Sequence, residues 1–318
     1  MKPDTQTQAL LDQMNTEGNP KLFELTVEQA RSGLKEMTLA VDAPEMPVLK
    51  IRDEQIAGPV GEIPLRIYWP EEAKQNSNLP ILLLYHGGGF ALGDLDTHNN
   101  MSRFYCASAS VIVVSVDYRL APEHKFPVGV EDCYAALCWA AENAASLGAD
   151  PKRLAVTGDS AGGNLSAVMC QLTQSRGGPA IAFQVLVYPG IDMSLEADYP
   201  SRDEYGPGGF FLSNQDMDWL RGMYYSDVEQ ESKDTRSSPV YAEDLSGQPA
   251  ALIITAGFDP LRDEGKHYAD KLREAGVTVE YLCFESTIHG FFSFSGALDV
   301  GRDGLQVVAE RLRDHLHA

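Results

Sequence analysis

Gly158-Asp159-Ser160-Ala161-Gly162 decides the fold through what flanks it. The apolar run Leu154-Ala155-Val156 reads as a strand leading in, and Asn164 to Met169 begins a helical pattern leading out. A serine between them stands at the apex of a tight turn from strand to helix. Its backbone is strained, its hydroxyl points outward, and small neighbours let helix and strand approach closely. Such a turn is a nucleophile elbow. G-x-S-x-G alone is a loose pattern, so its partners elsewhere in the chain carry the assignment.

Upstream, His86-Gly87-Gly88-Gly89-Phe90 closes the run Ile81-Leu82-Leu83-Leu84-Tyr85, an unbroken apolar segment suited to a strand buried on both faces. The three glycines end that strand and free backbone N–H groups to converge on one point, as a developing oxyanion requires. Downstream, an acid and then a histidine are expected in that order. Asp259 follows the apolar run Ala251 to Ala256, and His289 follows Val277 to Phe284. Both lie in loops beyond a strand's carboxyl end, the edge where open α/β sheets build their sites.

Chemistry then distributes the roles. The Ser160 hydroxyl is too weak an acid to attack an ester unaided, so His289 takes its proton and later protonates the leaving alcohol. Asp259 accepts the other ring N–H of His289 and fixes its tautomer. Asp263 and Glu264 are rival acids, but Pro260 starts a helix ahead of them and makes both charges of a helix N-terminus. His86 reads as an orienting partner of the glycine loop. His98, His124 and His267 lack neighbours with metal-ligand spacing.

Strand patterns lie near 48–56, 62–69, 80–86, 111–117, 153–158, 182–188, 250–256 and 278–284, and helical patterns near 98–109, 131–147, 161–175, 262–275 and 302–316. Their alternation predicts an α/β fold, a mostly parallel eight-stranded sheet with helices on both faces and antiparallel strands at its start. Two pieces break the alternation. The segment to about residue 45 carries Leu10, Leu11 and Met14 at helical spacing, and 191–242 is rich in Tyr, Gly, Pro and Asp.

The blocks HGGGF at 86–90, VDYRLAPEHKFP at 116–127, GDSAGGN at 158–164, DPLRDE at 259–264 and HGF at 289–291 resemble the hormone-sensitive lipase family of α/β hydrolases, in its bacterial carboxylesterase branch with the GDSAG form of the elbow. The resemblance spans nearly the whole chain. It implies the triad Ser160, Asp259 and His289, and an oxyanion hole from the backbone of Gly88, Gly89 and Ala161. It also implies an α/β-hydrolase core at 46–190 and 243–318, under a helical cap built from 1–45 and 191–242. Phe90, Phe211 and Leu212 are the expected substrate-pocket residues.

The implied activity is hydrolysis of short- to medium-chain acyl esters through an acyl-enzyme, with no metal or organic cofactor. Amides, carbamates and acetylated small molecules remain open as substrates of the same triad. Another class shares the fold, ligand receptors that have lost catalysis and with it the histidine. Here His289 stands in its expected context. The VDYRLAPEHKFP block is read as structural, since a buried Asp or Arg in a long loop usually satisfies backbone groups.

The formal charge of −21 and sequence pI near 4.6 argue against nucleic acid and anionic membrane surfaces as partners. The 44% hydrophobic content is enough for a sizeable core. Cys106, Cys133, Cys138, Cys170 and Cys283 read as buried reduced thiols, which suits the cytoplasm. No apolar h-region follows Lys2, and no run reaches bilayer length. Family members often pair through the last strand or helix, so a homodimer belongs to what the resemblance implies.

Overall fold

A computed structural model describes residues 2–75 and 78–317. Eight strands form one sheet: β1 (Lys50–Gly58), β2 (Gly61–Trp69), β3 (Leu79–Tyr85), β4 (Ile112–Val116), β5 (Ala149–Asp159), β6 (Phe183–Val187), β7 (Ala250–Phe258) and β8 (Val279–Ile288). Their order is β1-β2-β4-β3-β5-β6-β7-β8. β1 and β2 pair antiparallel with each other, β2 pairs antiparallel with β4, and the remaining pairs are parallel. The expected strands are all present. β5 begins earlier than its apolar run and β8 continues to Ile288, beyond a register shift between Ala256 and Phe258 of its neighbour.

The helices are α1 (Thr5–Met14), α2 (Val27–Val41), α3 (Asn99–Ala109), α4 (Val128–Glu142), α5 (Ala144–Leu147), α6 (Ala161–Arg176), α7 (Pro200–Tyr205), α8 (Asn214–Tyr224), α9 (Val228–Glu231), α10 (Arg262–Glu274) and α11 (Asp299–Leu316). The single helix expected over 131–147 is therefore two, α4 and α5, broken at Asn143. Successive residues of β3 feed opposite layers, as the two-residue period of a strand dictates. Ile81, Leu83 and Tyr85 pack with Leu137 and Leu165 from α4 and α6, whereas Leu82 and Leu84 join Tyr105 and Leu312 from α3 and α11.

The two irregular pieces lie above the carboxyl edge of the sheet. Thr26 and Gln29 form a capping box that starts α2, and Ser213 and Asp216 form one that starts α8. Arg31 of α2 donates through Nε to the Ala91 carbonyl and through its terminal nitrogens to the Ala121 carbonyl and the Glu123 carboxylate. Lys35, one turn on, meets Asp94 and Asp96. Arg202 of α7 reaches the fully buried Glu264 of α10 with Nε 3.0 Å from Oε2. Glu264 also accepts the N–H of Ile191 at 2.7 Å. It is more than the N-terminal helix charge the sequence suggests: it bolts 191–202 to the core.

In the block at 116–127, Tyr118 and Arg119 hold the loop to the core. Tyr118 donates to the His86 carbonyl at 2.7 Å, and Arg119 pairs with the fully buried Asp132. Asp117 is different, because burial, then the nearby Asp94 and Asp96, push its carboxyl up to about 6. A folded-state value above the unfolded ~3.9 makes ionisation of Asp117 oppose folding. The penalty is absent below about pH 4, grows to about pH 6 and is then constant, on the order of 2–3 kcal/mol. Asp117→Asn is expected to raise the melting temperature at pH 7 and to lose that gain by pH 4. A gain that persists unchanged at pH 4 would contradict this origin.

All five cysteines are free thiols. Cys106, Cys133 and Cys170 are buried, but Cys138 and Cys283 are only partly so, contrary to expectation. Cys138 lies late in α4 and Cys283 on β8, the last strand in the sheet order, so neither is enclosed on all sides.

Candidate active site

β5 ends at Asp159 and α6 starts at Ala161, leaving Ser160 alone at the turn with φ 55° and ψ −115°. That is a left-handed conformation, strained for a residue with a Cβ. The turn closes because its flanks are glycine. A methyl on Gly158 or Gly162 would collide with the Tyr85 carbonyl of β3.

Ser160 Oγ lies 2.9 Å from His289 Nε2, and His289 Nδ1 lies 2.8 Å from Asp259 Oδ2. Asp259 follows β7 directly and His289 follows β8 directly, so adjacent parallel strands deliver them side by side. Asp259 is fully buried, and its second oxygen accepts the Leu261 N–H at 2.8 Å. The Tyr188 ring lies 4.7 Å from that of His289. Both rivals are occupied elsewhere: Asp263 accepts the Ser201 N–H at 2.9 Å, and Glu264 holds Arg202.

The glycine loop runs against the elbow. Gly88, Gly89 and Phe90 take φ values of 116°, 60° and 63°, so three consecutive residues are left-handed. The Gly87 N–H donates to Asp159 Oδ1 at 2.9 Å, and the Gly88 carbonyl accepts from Leu92 at 2.9 Å. Among the described residues, no acceptor in the chain takes up the N–H of Gly88 or Gly89. The Ala161 N–H, first of α6, belongs to the set that a helix leaves unpaired. His86 faces the Gly87 carbonyl through Nδ1 at 2.9 Å and stacks on Tyr118 at 4.3 Å. Burial pushes its imidazole down to about 4, so it is neutral and orients the loop as expected.

A cavity of about 990 Å³ opens above Ser160. Gly88, Gly89, Ala161 and His289 line its floor, and Phe90, Phe211 and Leu212 line its walls. Phe90 stacks on Tyr224 at 4.1 Å, and Phe211 meets Phe294 edge-on at 5.2 Å. Leu220 of α8 rests against Gly89 so closely that a Cβ there would strike it.

Over residues 82–293 the sequence matches the α/β hydrolase fold family Abhydrolase_3. The chain belongs to this α/β hydrolase family. Within it the chain falls among the hormone-sensitive lipase-like esterases. It is 44% identical to the carboxylic ester hydrolase LipN of Mycobacterium tuberculosis strain H37Rv, over 90% of this chain and 76% of that protein. It is likewise 44% identical to the carboxylesterase NlhH of the same strain, over 92% and 90%. Among solved structures, ester-hydrolase EH1AB1 from the metagenome of Lake Arreo, complexed with a derivative of bipyridine phosphonate, superposes with a TM-score of 0.94. It is 39% identical over 100% of both chains.

Some of this hydrolase's pocket was not singled out in the sequence. Leu34, Met37 and Val41 of α2 line the cavity, and their spacing of three and four is the signal that marks one face of a helix. Leu220 and Tyr224 line it from α8. Among the described residues no group of three or more His, Cys, Asp and Glu side chains is placed to hold a metal ion, and no helix is long and apolar enough to cross a membrane.

Proposed function

We propose that Ser160, His289 and Asp259 are the nucleophile, base and orienting acid of a carboxylic ester hydrolase that works through an acyl-enzyme. The hydrogen-bonded run from Ser160 Oγ through His289 to Asp259, at 2.9 and 2.8 Å, carries this reading. As Ser160 attacks the ester carbonyl, its proton moves to His289 Nε2, and the buried Asp259 stabilises the imidazolium. The unpaired N–H groups of Gly88, Gly89 and Ala161 receive the oxyanion, reinforced by the positive end of α6. Collapse transfers the proton to the departing alcohol, and water enters by the same steps to release the acid. Purified protein is expected to hydrolyse p-nitrophenyl butyrate. A folded but inert protein would favour the receptor reading instead.

The pieces 1–45 and 191–242 act as a cap that excludes water and limits substrate size. Leu34, Phe211, Leu212 and Leu220 enclose the cavity, and they favour short- to medium-chain acyl groups. In a p-nitrophenyl ester series, kcat/KM is expected to peak between about four and eight acyl carbons and to fall beyond them where the cap must be displaced. A maximum at long chains would sink this assignment. The free thiols suit a reducing cytoplasm, a placement that fractionation of the source cells checks. β8 is last in the strand order, so its outer edge has no strand partner and offers itself to a second copy. Sedimentation of only a 34.8 kDa species would overturn the homodimer.

A further inference from the structure

Helix α8 touches the glycine loop at two consecutive residues. Leu220 and Tyr224 are four apart and so share one face of α8. Beyond its chain neighbours, the atoms nearest a Cβ at Gly89 would all belong to the Leu220 side chain, with Cδ1 at 2.5 Å. Tyr224 lies flat on the Phe90 ring, the centroids 4.1 Å apart and the planes 7° from parallel. Both rings are buried.

These two loop residues need outside support. Among the described residues Gly89 takes part in no backbone–backbone hydrogen bond, whereas the Gly88 carbonyl accepts from Ala91 at 3.2 Å and from Leu92 at 2.9 Å. Packing therefore fixes Gly89, and Leu220 supplies that packing. Phe90 is left-handed at φ 63°, a conformation that a bulky side chain keeps only where its surroundings enforce it. Its carbonyl accepts the Ala121 N–H at 2.9 Å, and its ring rests on Tyr224. The end of α8 is itself anchored. The Tyr224 carbonyl accepts the Phe126 N–H at 2.8 Å, and Lys125 Nζ donates to the Tyr225 carbonyl at 2.7 Å.

We infer that Leu220 and Tyr224 are positioning residues for the reaction: through Gly89 and Phe90 they aim the loop N–H groups at the developing oxyanion, so α8 serves bond-breaking as well as enclosure. The inference rests on the proposed role of Gly88 and Gly89 as oxyanion donors. A helix that only walled the cavity would act through contact with the acyl chain, and so more on long chains than on short ones. A helix that aims the donors acts on every ester alike, because the oxyanion is common to all of them. A displacement of about 1 Å at such a site can cost roughly 100-fold in rate.

The test is an acyl-length series on the whole chain. Tyr224→Leu removes the stack but keeps an apolar side chain, and is expected to lower kcat roughly 10- to 100-fold with KM within about threefold. The factor is expected to agree within about threefold for p-nitrophenyl acetate, butyrate and octanoate. Leu220→Ala, at a partly exposed position, is expected to act in the same way to a smaller extent, and decides the matter should Tyr224→Leu fail to fold. The affinity of a trifluoromethyl ketone of butyryl size, whose adduct with Ser160 carries the oxyanion, is expected to fall in proportion to kcat/KM. Tyr224→Phe restores the ring and is expected to return kcat to within about threefold of wild type. An unchanged kcat in the folded variants, a loss confined to the octanoate, or an undiminished ketone affinity would overturn the inference and leave α8 a wall. Wild-type protein inert toward all three esters would instead overturn the proposed function.

Discussion

Ser160→Ala is expected to lower kcat by roughly 10⁴-fold or more while leaving the melting temperature nearly unchanged. Among the described residues the only side-chain hydrogen-bond partner of Ser160 is His289, so removing the hydroxyl breaks one hydrogen bond. Alanine meets the same backbone strain at φ 55° as serine, and the turn itself is enforced by Gly158 and Gly162 against β3. Residual turnover is expected from the oxyanion donors and substrate binding alone. Steady-state hydrolysis of p-nitrophenyl butyrate, with circular dichroism melting beside it, measures both halves. A variant retaining a tenth of wild-type kcat would place the nucleophile elsewhere.

Asp259→Asn is expected to be nearly as damaging, on the order of 10⁴-fold in kcat at neutral pH, for a reason visible at its second oxygen. The Leu261 N–H points at Asp259 Oδ1. An asparagine will place its carbonyl there to accept that hydrogen, which turns its NH₂ toward His289 Nδ1. His289 must then accept at Nδ1 and carry its hydrogen on Nε2, facing Ser160, where it can no longer take the serine proton. Asp263→Asn, whose carboxylate serves Ser201 and Arg262, is the control and is expected to change kcat less than about threefold. Comparable losses in both variants would remove the special role of Asp259.

What the sequence discloses follows from how locally each feature is encoded. The sheet is legible because its central strands are buried on both faces and read as unbroken apolar runs, as Leu79–Tyr85 does with every residue buried. The Ser160 turn is legible because steric closeness demands glycine at fixed offsets. Asp259 and His289 are legible because strand ends must deliver them. The contact of His98 with Asp159 is not, since the two lie 61 residues apart and neither position has a spacing that announces the other. Glu264 misled for the same reason: its helix position is local, but Arg202 is 62 residues distant. β5 starts before its apolar run and β8 continues past its own because pairing of Ala149 with Leu79 and of Ile288 with Phe258, not composition, sets where those strands begin and end.

The bonds from Arg31 to the carbonyls of Ala91 and Ala121 have a kinetic consequence. Ala91 follows the left-handed turn of Gly88, Gly89 and Phe90, so the proposed cap helix α2 and the proposed oxyanion loop share one rivet. Lifting the roof to admit an oversized ester must first loosen that rivet, and with it the geometry that lowers the barrier. On that proposal, size selection is expected in the rate of bond-breaking as well as at the entrance: a substrate that props the enclosure open is expected to be held but turned over slowly, and to inhibit the esters that fit.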